Sequence, residues 1–205
     1  GVPSRPERIY MLSDKQEGRL EYQHTGALTT VELPEMQTNP YVPVVVMEYE
    51  GYPEIEQSLA SKTLSGGFSL KPGNASGKDG DTTLIPTQKR GSIPSHVQVE
   101  QKSRYTWKIY VNGPRTLQAD VSYSFQGDHA SGRIQVVAAG SSLEHEMKPT
   151  GMTVGEPNRE WHIKSFESQD LGVIKIPEAG YYNISLEFDP EDEPIDFQWL
   201  WLEEQ

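Results

Sequence analysis

The sequence predicts an all-β protein, an antiparallel β-sandwich preceded by a smaller β-domain or partial β-sandwich. Apolar and polar residues alternate through two long segments, residues 105–111 and 117–125, as they do in strands with one buried face. No segment shows the sustained spacing of apolar residues that a helix needs. The 18 glycines and 15 prolines are spread along the 205 residues without a period, which suits many short strands and turns.

The two alternating segments are the strongest strand predictions. Tyr105 to Val111 places four apolar residues on one face, among them Trp107, which is therefore expected in the core. Leu117 to Phe125 repeats the pattern. The turn Gly113-Pro114-Arg115 lies between them, and it makes an antiparallel hairpin the simplest connection.

Shorter apolar runs predict the remaining strands. The candidates are Ile9 to Leu12, Leu28 to Leu33, Val44 to Tyr49, Arg133 to Ala138, Gly172 to Ile176, Tyr182 to Phe188 and Phe197 to Glu203. In the last of these, strict alternation puts Phe197, Trp199 and Trp201 on one face, and Leu200 and Leu202 on the other. Because both faces look apolar, we expect one of them to pack against the N-terminal region rather than bind a ligand.

The chain is expected to contain two parts, residues 1–52 and residues 53–205. The first holds about four short strands, which are few for an independent sandwich. A polar stretch with a possible helix, Pro53 to Lys62, follows it. The segment Gly66 to Ala75 is expected to form the first strand of the sandwich, and Pro72 to Asp81, rich in Gly, Asn, Ser and Asp, is expected to be an exposed loop.

Composition excludes several classes of function. The formal charge of −12, from 30 acidic against 18 basic residues, opposes nucleic acid as a partner, because phosphate contacts need clustered Lys and Arg. The sequence has no cysteine, which excludes disulfides, thiolate nucleophiles and Cys-ligated zinc. No run of about 18 apolar residues is present, so no membrane span is predicted.

Catalytic motifs are missing as well. The five histidines lack the spacing of a zinc-binding helix, and neither a nucleophile elbow nor a phosphate-binding glycine loop is present. A retaining glycosidase needs two carboxyl groups about 5 Å apart in a rigid cleft. Here the acidic residues fall on predicted loops and on the polar faces of strands, where solvated carboxylates are the simpler interpretation. The sequence therefore predicts a chain that is not itself an enzyme.

The last third of the chain resembles a known family of binding modules. Trp161, the strand from Leu171 to Ile176, the segment Ala179 to Leu186 and the terminal aromatic strand from Asp196 to Leu202 follow one another as in carbohydrate-binding modules of families 6 and 35. The resemblance implies a jelly-roll sandwich of the galactose-binding-like type. It also implies a glycan ligand that is bound and not cleaved.

The same resemblance implies a carbohydrate-binding site formed by Trp161, Asp196, Tyr110 and Arg159. Trp161 follows a turn, as does the sugar-contacting Trp of those modules, although a hydrophobic plug under the loop explains it equally well. Asp196 and Gln198 stand where the modules have an Asn-x-Asp pattern. Asp196 can accept a hydrogen bond from a sugar hydroxyl, but unlike an amide it cannot donate one.

No cofactor is required by this interpretation, and calcium is the one cation that it leaves open. The modules bind calcium through acidic residues on their first strand, whereas Phe68 to Lys71 supplies none. Calcium binding would therefore depend on the Asp189 to Asp192 loop or on Glu100, because this cation needs several converging oxygen ligands.

The first fifty residues resemble a different family. Arg8 to Leu12, Leu20 to Tyr22, Leu28 to Pro34 and Val44 to Tyr49 are similar to the closing strands of the C-terminal β-domain in family 29 α-L-fucosidases. In that family the nucleophile and the acid/base lie on a barrel that precedes this domain, so neither role can be assigned to a residue here. The chain starts at Gly1 without an initiator Met, so we expect a mature or excised fragment. The fucosidase resemblance implies an upstream catalytic domain as its partner.

Two functions follow from these resemblances. The first is a glycan-binding or accessory region of a secreted bacterial glycoside hydrolase, α-L-fucosidase-like, in the periplasm or at the cell surface. The alternative is a purely structural β-sandwich that packs on a catalytic barrel and stabilises it, with no ligand of its own.

Overall fold

The chain folds into two compact units, Gly1–Gln57 and Ser58–Gln205. This computed structural model describes residues 1–14, 18–34, 43–56, 59–60, 62–63, 66–86, 95–151, 165–191 and 193–205. The division falls at residue 57, whereas the sequence places the boundary at residue 52. Helical structure within the described residues is limited to two 3-10 turns, Leu12–Asp14 and Pro72–Asn74, and none of it could cross a membrane as a helix.

The described residues of the first unit form four short strands in two antiparallel pairs: β1 Arg8–Met11 with β4 Val45–Glu48, and β2 Tyr22–Thr25 with β3 Leu28–Val31. Gly26 adopts a positive φ of 60° between β2 and β3, where a tight turn reverses the chain. Ile9 on β1 is fully buried. The small number of strands agrees with the sequence, although β3 and β4 are each shorter than their apolar runs, Leu28 to Leu33 and Val44 to Tyr49.

The second unit is a sandwich of two sheets. Its strands are β5 Leu59–Ala60, β6 Phe68–Leu70, β7 Gly77–Asp79, β8 Thr82–Ile85, β9 His96–Val99, β10 Ser103–Val111, β11 Arg115–Phe125, β12 Ser131–Ala138, β13 Ser141–Met147, β14 Glu167–Ile176, β15 Gly180–Asp189 and β16 Ile195–Glu204. Sheet 1 has the order β13-β12-β15-β10-β5, with β7 also pairing to β10. Sheet 2 has the order β14-β11-β16-β9-β8, with β6 pairing to β16. All pairs are antiparallel except β5 with β10.

The core lies between the two sheets and is rich in aromatic residues. Trp107 and Tyr105 from sheet 1 contact Phe197 from sheet 2, with ring centroids 6.4 Å and 5.6 Å apart. Phe188 approaches the same Phe197 ring at 4.9 Å. Trp107 is fully buried, and its indole N–H donates to the carbonyl of Lys71 at 2.8 Å. The all-β sandwich and the core position of Trp107 are confirmed.

The hairpin predicted around Gly113 is wrong. β10 pairs with β15, β5 and β7 in sheet 1, whereas β11 pairs with β14 and β16 in sheet 2. The turn therefore carries the chain from one sheet to the other. Each strand buries one apolar face, and the two faces are buried together when the strands lie in opposing sheets.

The predicted face pattern of β16 is also wrong. The register pairs Phe197 with Tyr123 but Trp199 with Ser122, so Gln198 is an extra residue at a β-bulge. Beyond the bulge the alternation shifts by one residue. Phe197, Leu200 and Leu202 are consequently all fully buried in the core, and Trp199 and Trp201 lie half-buried on the outward face.

Several short strands gave no clear apolar pattern in the sequence. β13 reads Ser-Ser-Leu-Glu-His-Glu-Met, and most of its side chains are at least partly exposed. The predicted loop Pro72 to Asp81 contains a 3-10 turn and β7. Within Pro53 to Lys62, the described residues show β5 and an isolated bridge at Lys62 instead of a helix. Edge strands such as these are held by pairing with a neighbour rather than by their own apolar periodicity.

Candidate functional site

The outward face of sheet 1 carries a pair of tyrosines near one end of the sandwich. Tyr110 on β10 lies directly opposite Tyr181 on β15 in the strand register. Their ring centroids are 5.1 Å apart with an interplanar angle of 61°, an edge-to-face contact typical of aromatic pairs. Tyr110 is half-buried and Tyr181 is 42% exposed, so solvent reaches both rings.

Two polar side chains, one on each strand, lie next to this tyrosine pair on the same face of sheet 1. Lys108 precedes Tyr110 by two residues on β10 and therefore shares its face. Its Nζ lies 4.9 Å from the centroid of the Tyr181 ring, a cation–π contact. Asn183 lies opposite Lys108 on β15 and is exposed. We refer to Tyr110, Tyr181, Lys108 and Asn183 as the aromatic platform.

The Tyr110 hydroxyl is protonated at neutral pH, as an ordinary tyrosine is. Partial burial, and to a smaller extent the nearby Tyr181 hydroxyl, raise the pKa of Tyr110 above its ordinary value. A protonated phenol can both donate and accept a hydrogen bond. The platform thus combines aromatic rings with an ammonium, a carboxamide and a phenol hydroxyl. Such a surface can cover the C–H face of a sugar ring and address its hydroxyls.

A cluster of ion pairs lies on the same face of sheet 1, around Arg104, four residues before Lys108 on β10. The Glu187 carboxylate, only 8% exposed, accepts hydrogen bonds from Arg104 at 2.6 Å and lies 2.8 Å from Lys102 Nζ. These two cations, Lys102 first and Arg104 second, hold the pKa of Glu187 below its usual range. Arg104 and Glu187 are register partners on β10 and β15. The ion pair therefore ties together the two strands that carry the platform.

Asp196 lies in a different environment from Tyr110. It is the second residue of β16, opposite Gln98 on β9 and Ser124 on β11, and faces outward from sheet 2. Asp196 is nevertheless only 6% exposed, and its Oδ1 lies 3.4 Å from Nε2 of the equally buried His96. The Phe166 ring packs against His96 at 5.2 Å. A sugar would therefore find little of the Asp196 carboxylate at the surface.

Of the four residues predicted for sugar binding, the two that the structure describes, Tyr110 and Asp196, lie far apart. Tyr110 faces outward from sheet 1 and Asp196 from sheet 2, so the core separates them. Trp161 and Arg159 lie outside the described residues. Their assignment, like that of Asp196, stays a prediction. Tyr181, Lys108 and Asn183 were not predicted, because only the register between β10 and β15 shows that they adjoin Tyr110.

Two carboxylates that the sequence did not single out face each other on sheet 2. Asp120 on β11 is the register partner of Asp170 on β14. Burial raises the pKa of Asp120, with smaller contributions from the charges of Asp170 and Glu203. Asp170 accepts hydrogen bonds from the backbone N–H of Gly172 at 2.6 Å and from the Gln118 amide. Asp170 thereby stabilises the β14 backbone. This structural role accounts for the Asp120–Asp170 pair without a ligand.

A shallow depression opens at the opposite end of β11 from the Gly113 turn. It is lined by Tyr123, Lys148, Pro149, Thr150, Glu167, Ser168, Gln169 and Asp170. Several of its polar groups form hydrogen bonds with one another. The Tyr123 hydroxyl accepts a hydrogen bond from the backbone N–H of Lys148 at 2.8 Å and lies 2.6 Å from Gln169 Oε1. Burial raises the pKa of this phenol, which therefore stays neutral. The Tyr123 hydroxyl is accordingly already engaged in hydrogen bonds within the protein.

No cation site is evident in the part of the chain that the structure describes. Within it, no group of three or more His, Cys, Asp or Glu side chains could hold a metal ion. Asp189, one end of the predicted calcium loop, lies 3.2 Å from the guanidinium of Arg133. Asp192 lies outside the described residues. Calcium binding by that loop or by Glu100 stays a prediction.

Comparison with known proteins gives a likeness in fold. No protein-family model matches the sequence, and no curated protein matches it. Among solved structures, a family 35 carbohydrate binding module from Clostridium thermocellum aligns with a TM-score of 0.50 and 10% identity, over 67% of this chain and 97% of the module. The insecticidal crystal protein Cry2Aa aligns with a TM-score of 0.54 and 17% identity, over 70% of this chain and 22% of that protein.

These likenesses concern the sandwich and extend no further than its fold. At such low identity a shared fold does not carry a shared activity. An α-L-fucosidase from Vibrio sp. strain EJY3 aligns over 98% of this chain and 34% of the enzyme, with 16% identity and a TM-score of 0.46. That score is too low to support an argument. The sandwich resembles the jelly roll of the family 35 module in fold, and the fucosidase resemblance stays a proposal.

Proposed function

We propose that this chain is a non-catalytic glycan-binding or accessory region, and that its sandwich binds carbohydrate on the outward face of sheet 1. The observation that carries the proposal is the Tyr110–Tyr181 pair, whose rings lie 5.1 Å apart and reach solvent on a sandwich of the carbohydrate-binding-module type. Solvent-exposed aromatic rings are suited to stack on sugar rings. Tyr110 was predicted as a sugar contact from the sequence, and its three neighbours complete the platform.

The platform would bind a sugar through two kinds of contact. The exposed Tyr181 ring would cover the C–H face of a pyranose, and the Tyr110 hydroxyl would lie at its edge. Lys108 and Asn183 would supply hydrogen bonds to ring hydroxyls, since an ammonium donates and a carboxamide both donates and accepts. The Glu187 ion pairs hold β10 and β15 together beneath this surface. Little rearrangement would then be needed on binding.

We further propose that the chain belongs to a secreted bacterial glycoside hydrolase, α-L-fucosidase-like, acting in the periplasm or at the cell surface. The support is the sequence resemblance of residues 1–52 to the closing strands of a fucosidase β-domain. In this proposal an upstream catalytic domain is the second partner, and the chain itself contributes no catalytic residue. The sandwich would hold that enzyme on its glycan substrate.

A glycan array probed with the purified chain tests the binding proposal. Fucosylated, galactosylated and xylan-type oligosaccharides should be present, with calcium added in one series and chelated in the other. We expect saturable binding that Tyr181→Ala and Tyr110→Ala each weaken about tenfold or more, or about 1.4 kcal/mol. Trp161→Ala tests the predicted loop-end site in the same assay.

Tyr52 provides a matched control for these variants. It is fully exposed and belongs to the first unit, so Tyr52→Ala removes an aromatic ring without touching the platform. Binding should be unchanged in this variant. Binding that survives both platform substitutions but is lost in Trp161→Ala would move the site to the loops. An array without any bound glycan would contradict the proposed function.

One observation favours the structural alternative. Outside the platform, the described part of the sandwich exposes large apolar side chains, among them Leu84 at 63%, Val137 at 41% and Val173 at 37%. Exposed apolar residues of this kind are suited to packing against another domain. If the sandwich only stabilises a catalytic domain, deleting it from the parent enzyme should lower the melting temperature without changing glycan affinity.

A further inference from the structure

The turn between β10 and β11, which carries the chain from sheet 1 to sheet 2, contains the single Asn-Gly dipeptide of the sequence, Asn112-Gly113. Asn112 is exposed and lies immediately after β10, two residues beyond Tyr110. Its carboxamide oxygen accepts a hydrogen bond from Nη2 of Arg115 at 2.8 Å. Among the described residues, no hydrogen bond of the Gly113 backbone N–H is seen. These features favour a chemical modification of Asn112 rather than the binding of a ligand.

The chemistry needs only water. The backbone nitrogen of Gly113, after losing its proton to water or hydroxide, attacks Cγ of Asn112. The new N–Cγ bond closes a five-membered ring, the Cγ–Nδ2 bond breaks, and the amide nitrogen takes up a proton and leaves as ammonia. Water then opens the succinimide at either carbonyl, which gives aspartate or isoaspartate. No oxidant, reductant or enzyme is required.

The local geometry favours this reaction at Asn112. Glycine has no Cβ, so it offers the least steric resistance to attack by its own nitrogen. The guanidinium of Arg115 withdraws electron density from the carboxamide oxygen and makes Cγ more electrophilic. In the aspartate product, the same guanidinium faces a full carboxylate, and the hydrogen bond becomes charge-assisted on both sides.

The other described asparagines lack this combination. Asn74 is held by three hydrogen bonds: its Oδ1 accepts from Lys71 N at 2.7 Å and from Trp107 Nε1 at 3.0 Å, and its Nδ2 donates to Ser69 O at 2.9 Å. Asn183 lies in the middle of β15 and precedes the β-branched, fully buried Ile184. Both therefore serve as internal references.

We propose that Asn112 is a site of spontaneous deamidation, and that isoaspartate formed there disturbs the adjacent end of sheet 1. Isoaspartate routes the main chain through Cγ and so adds one methylene between β10 and β11. These strands belong to different sheets, and Tyr110 stands near the end of β10. A longer connection at that point alters the position of Tyr110 relative to Tyr181. Ageing of the protein would thereby act on the aromatic platform.

The test is an ageing experiment on the purified chain. The protein is incubated at mildly alkaline pH and digested. The peptides that contain residues 74, 112 and 183 are separated by chromatography, and mass spectrometry measures how much of each is deamidated. An isoaspartate-specific methyltransferase reports the isoaspartate fraction. We expect conversion at Asn112 to exceed that at either reference by about tenfold or more, a difference of about 1.4 kcal/mol in activation free energy.

Gly113→Ala is the matched variant. The residue is not in the positive-φ region, and an added Cβ would meet only Arg115 Nη1, at 3.8 Å, so the fold should accept it. This variant should lose most of the conversion at Asn112 while leaving residues 74 and 183 unchanged. Conversion at Asn112 no faster than at Asn183, or equal rates in Gly113→Ala and the unmodified chain, would overturn the proposal. It does not depend on whether the platform binds a glycan.

Discussion

His145 Nε2 lies 2.8 Å from the backbone carbonyl oxygen of Leu171 and so joins the edge strands of the two sheets. His145 belongs to β13 of sheet 1, and Leu171 belongs to β14 of sheet 2. Leu171 is the extra residue of a β-bulge, because Ala119 pairs with Gly172 and Asp120 pairs with Asp170. The imidazole N–H thus closes the sandwich along one side, at a point where the regular ladder is interrupted.

Replacing His145 should open this edge. We expect His145→Ala to lower the free energy of unfolding by about 1 kcal/mol, the usual contribution of one hydrogen bond. Urea unfolding followed by tryptophan fluorescence measures it. Glu146→Ala, on the same strand with an exposed side chain, should change stability much less. Equal losses in the two variants would show that the His145–Leu171 contact contributes nothing specific.

Gly172 is required by its backbone conformation rather than by lack of space. Its φ is +100°, and an added Cβ would meet only Leu143 atoms at 3.8–3.9 Å, an ordinary contact distance. Gly172→Ala should therefore destabilise the protein by about 1–2 kcal/mol through backbone strain. Thermal unfolding by calorimetry measures the change.

Gly77 is the matching control for that measurement. It lies on β7 without a positive φ, and an added Cβ would contact Thr106 at 3.7 Å, again an ordinary distance. Gly77→Ala should stay within about 0.5 kcal/mol of the unmodified protein, as surface substitutions usually do. A neutral Gly172→Ala would mean that the bulge relaxes without cost.

Asn74 anchors the 3-10 turn to the core tryptophan. Its Oδ1 accepts from Trp107 Nε1 and from Lys71 N, and its Nδ2 donates to Ser69 O. Asn74→Ala should cost about 2 kcal/mol, because three hydrogen bonds lose a partner at once. Asn74→Asp keeps both accepted bonds and loses only the donated one, so its loss should be smaller. Denaturant unfolding measures the free energy of unfolding of both variants. The loss should be larger in Asn74→Ala than in Asn74→Asp.

The Glu187 ion pairs should make stability depend on pH. Because Lys102 and Arg104 lower the pKa of Glu187 in the folded protein, the carboxylate stabilises the fold above its unfolded pKa of about 4.3. That contribution is lost as the pH falls through the lower folded pKa. Glu187→Gln should be less stable than the unmodified protein by about 1–2 kcal/mol at neutral pH. The difference should shrink in acid.

Glu146→Gln serves as the reference in this titration. Glu146 is exposed on β13, so its substitution should leave the acid dependence of unfolding nearly unchanged. Chemical denaturation at several pH values between neutral and about pH 3, below the usual range of glutamate, measures both variants. An unaltered pH profile in Glu187→Gln would show that other carboxylates account for acid unfolding.

Platform binding should depend on the Tyr181 ring more than on its hydroxyl. Tyr181→Phe keeps the aromatic face and the contact with Lys108, so we expect affinity within about threefold of the unmodified protein, roughly 0.6 kcal/mol. Tyr181→Ala should weaken binding about tenfold or more. Titration calorimetry with any glycan found on the array compares the two. Similar losses in both variants would point to hydrogen bonding by the hydroxyl as the main contribution.

Alternating apolar residues were enough to predict the strands that build the core. Tyr105, Trp107, Ile109 and Val111 are all buried, as their spacing predicts. The connection through Gly113 was not predictable, because a short turn suits a hairpin and a crossing between sheets equally well. Nor was the bulge at Gln198, which moves Trp199 and Trp201 away from the face of Phe197. A single inserted residue reverses the alternation without leaving a mark in composition.

The sequence by itself determined that this protein is all-β, acidic and without cysteine, and that its second part is a sandwich with Trp107 in its core. Local periodicity and composition carry that information. Only the tertiary structure decided that Tyr110 adjoins Tyr181, Lys108 and Asn183, and that Asp196 is buried beside His96. These neighbours are up to 100 residues apart along the chain. Strand order and register bring them together, and both depend on how the whole core packs.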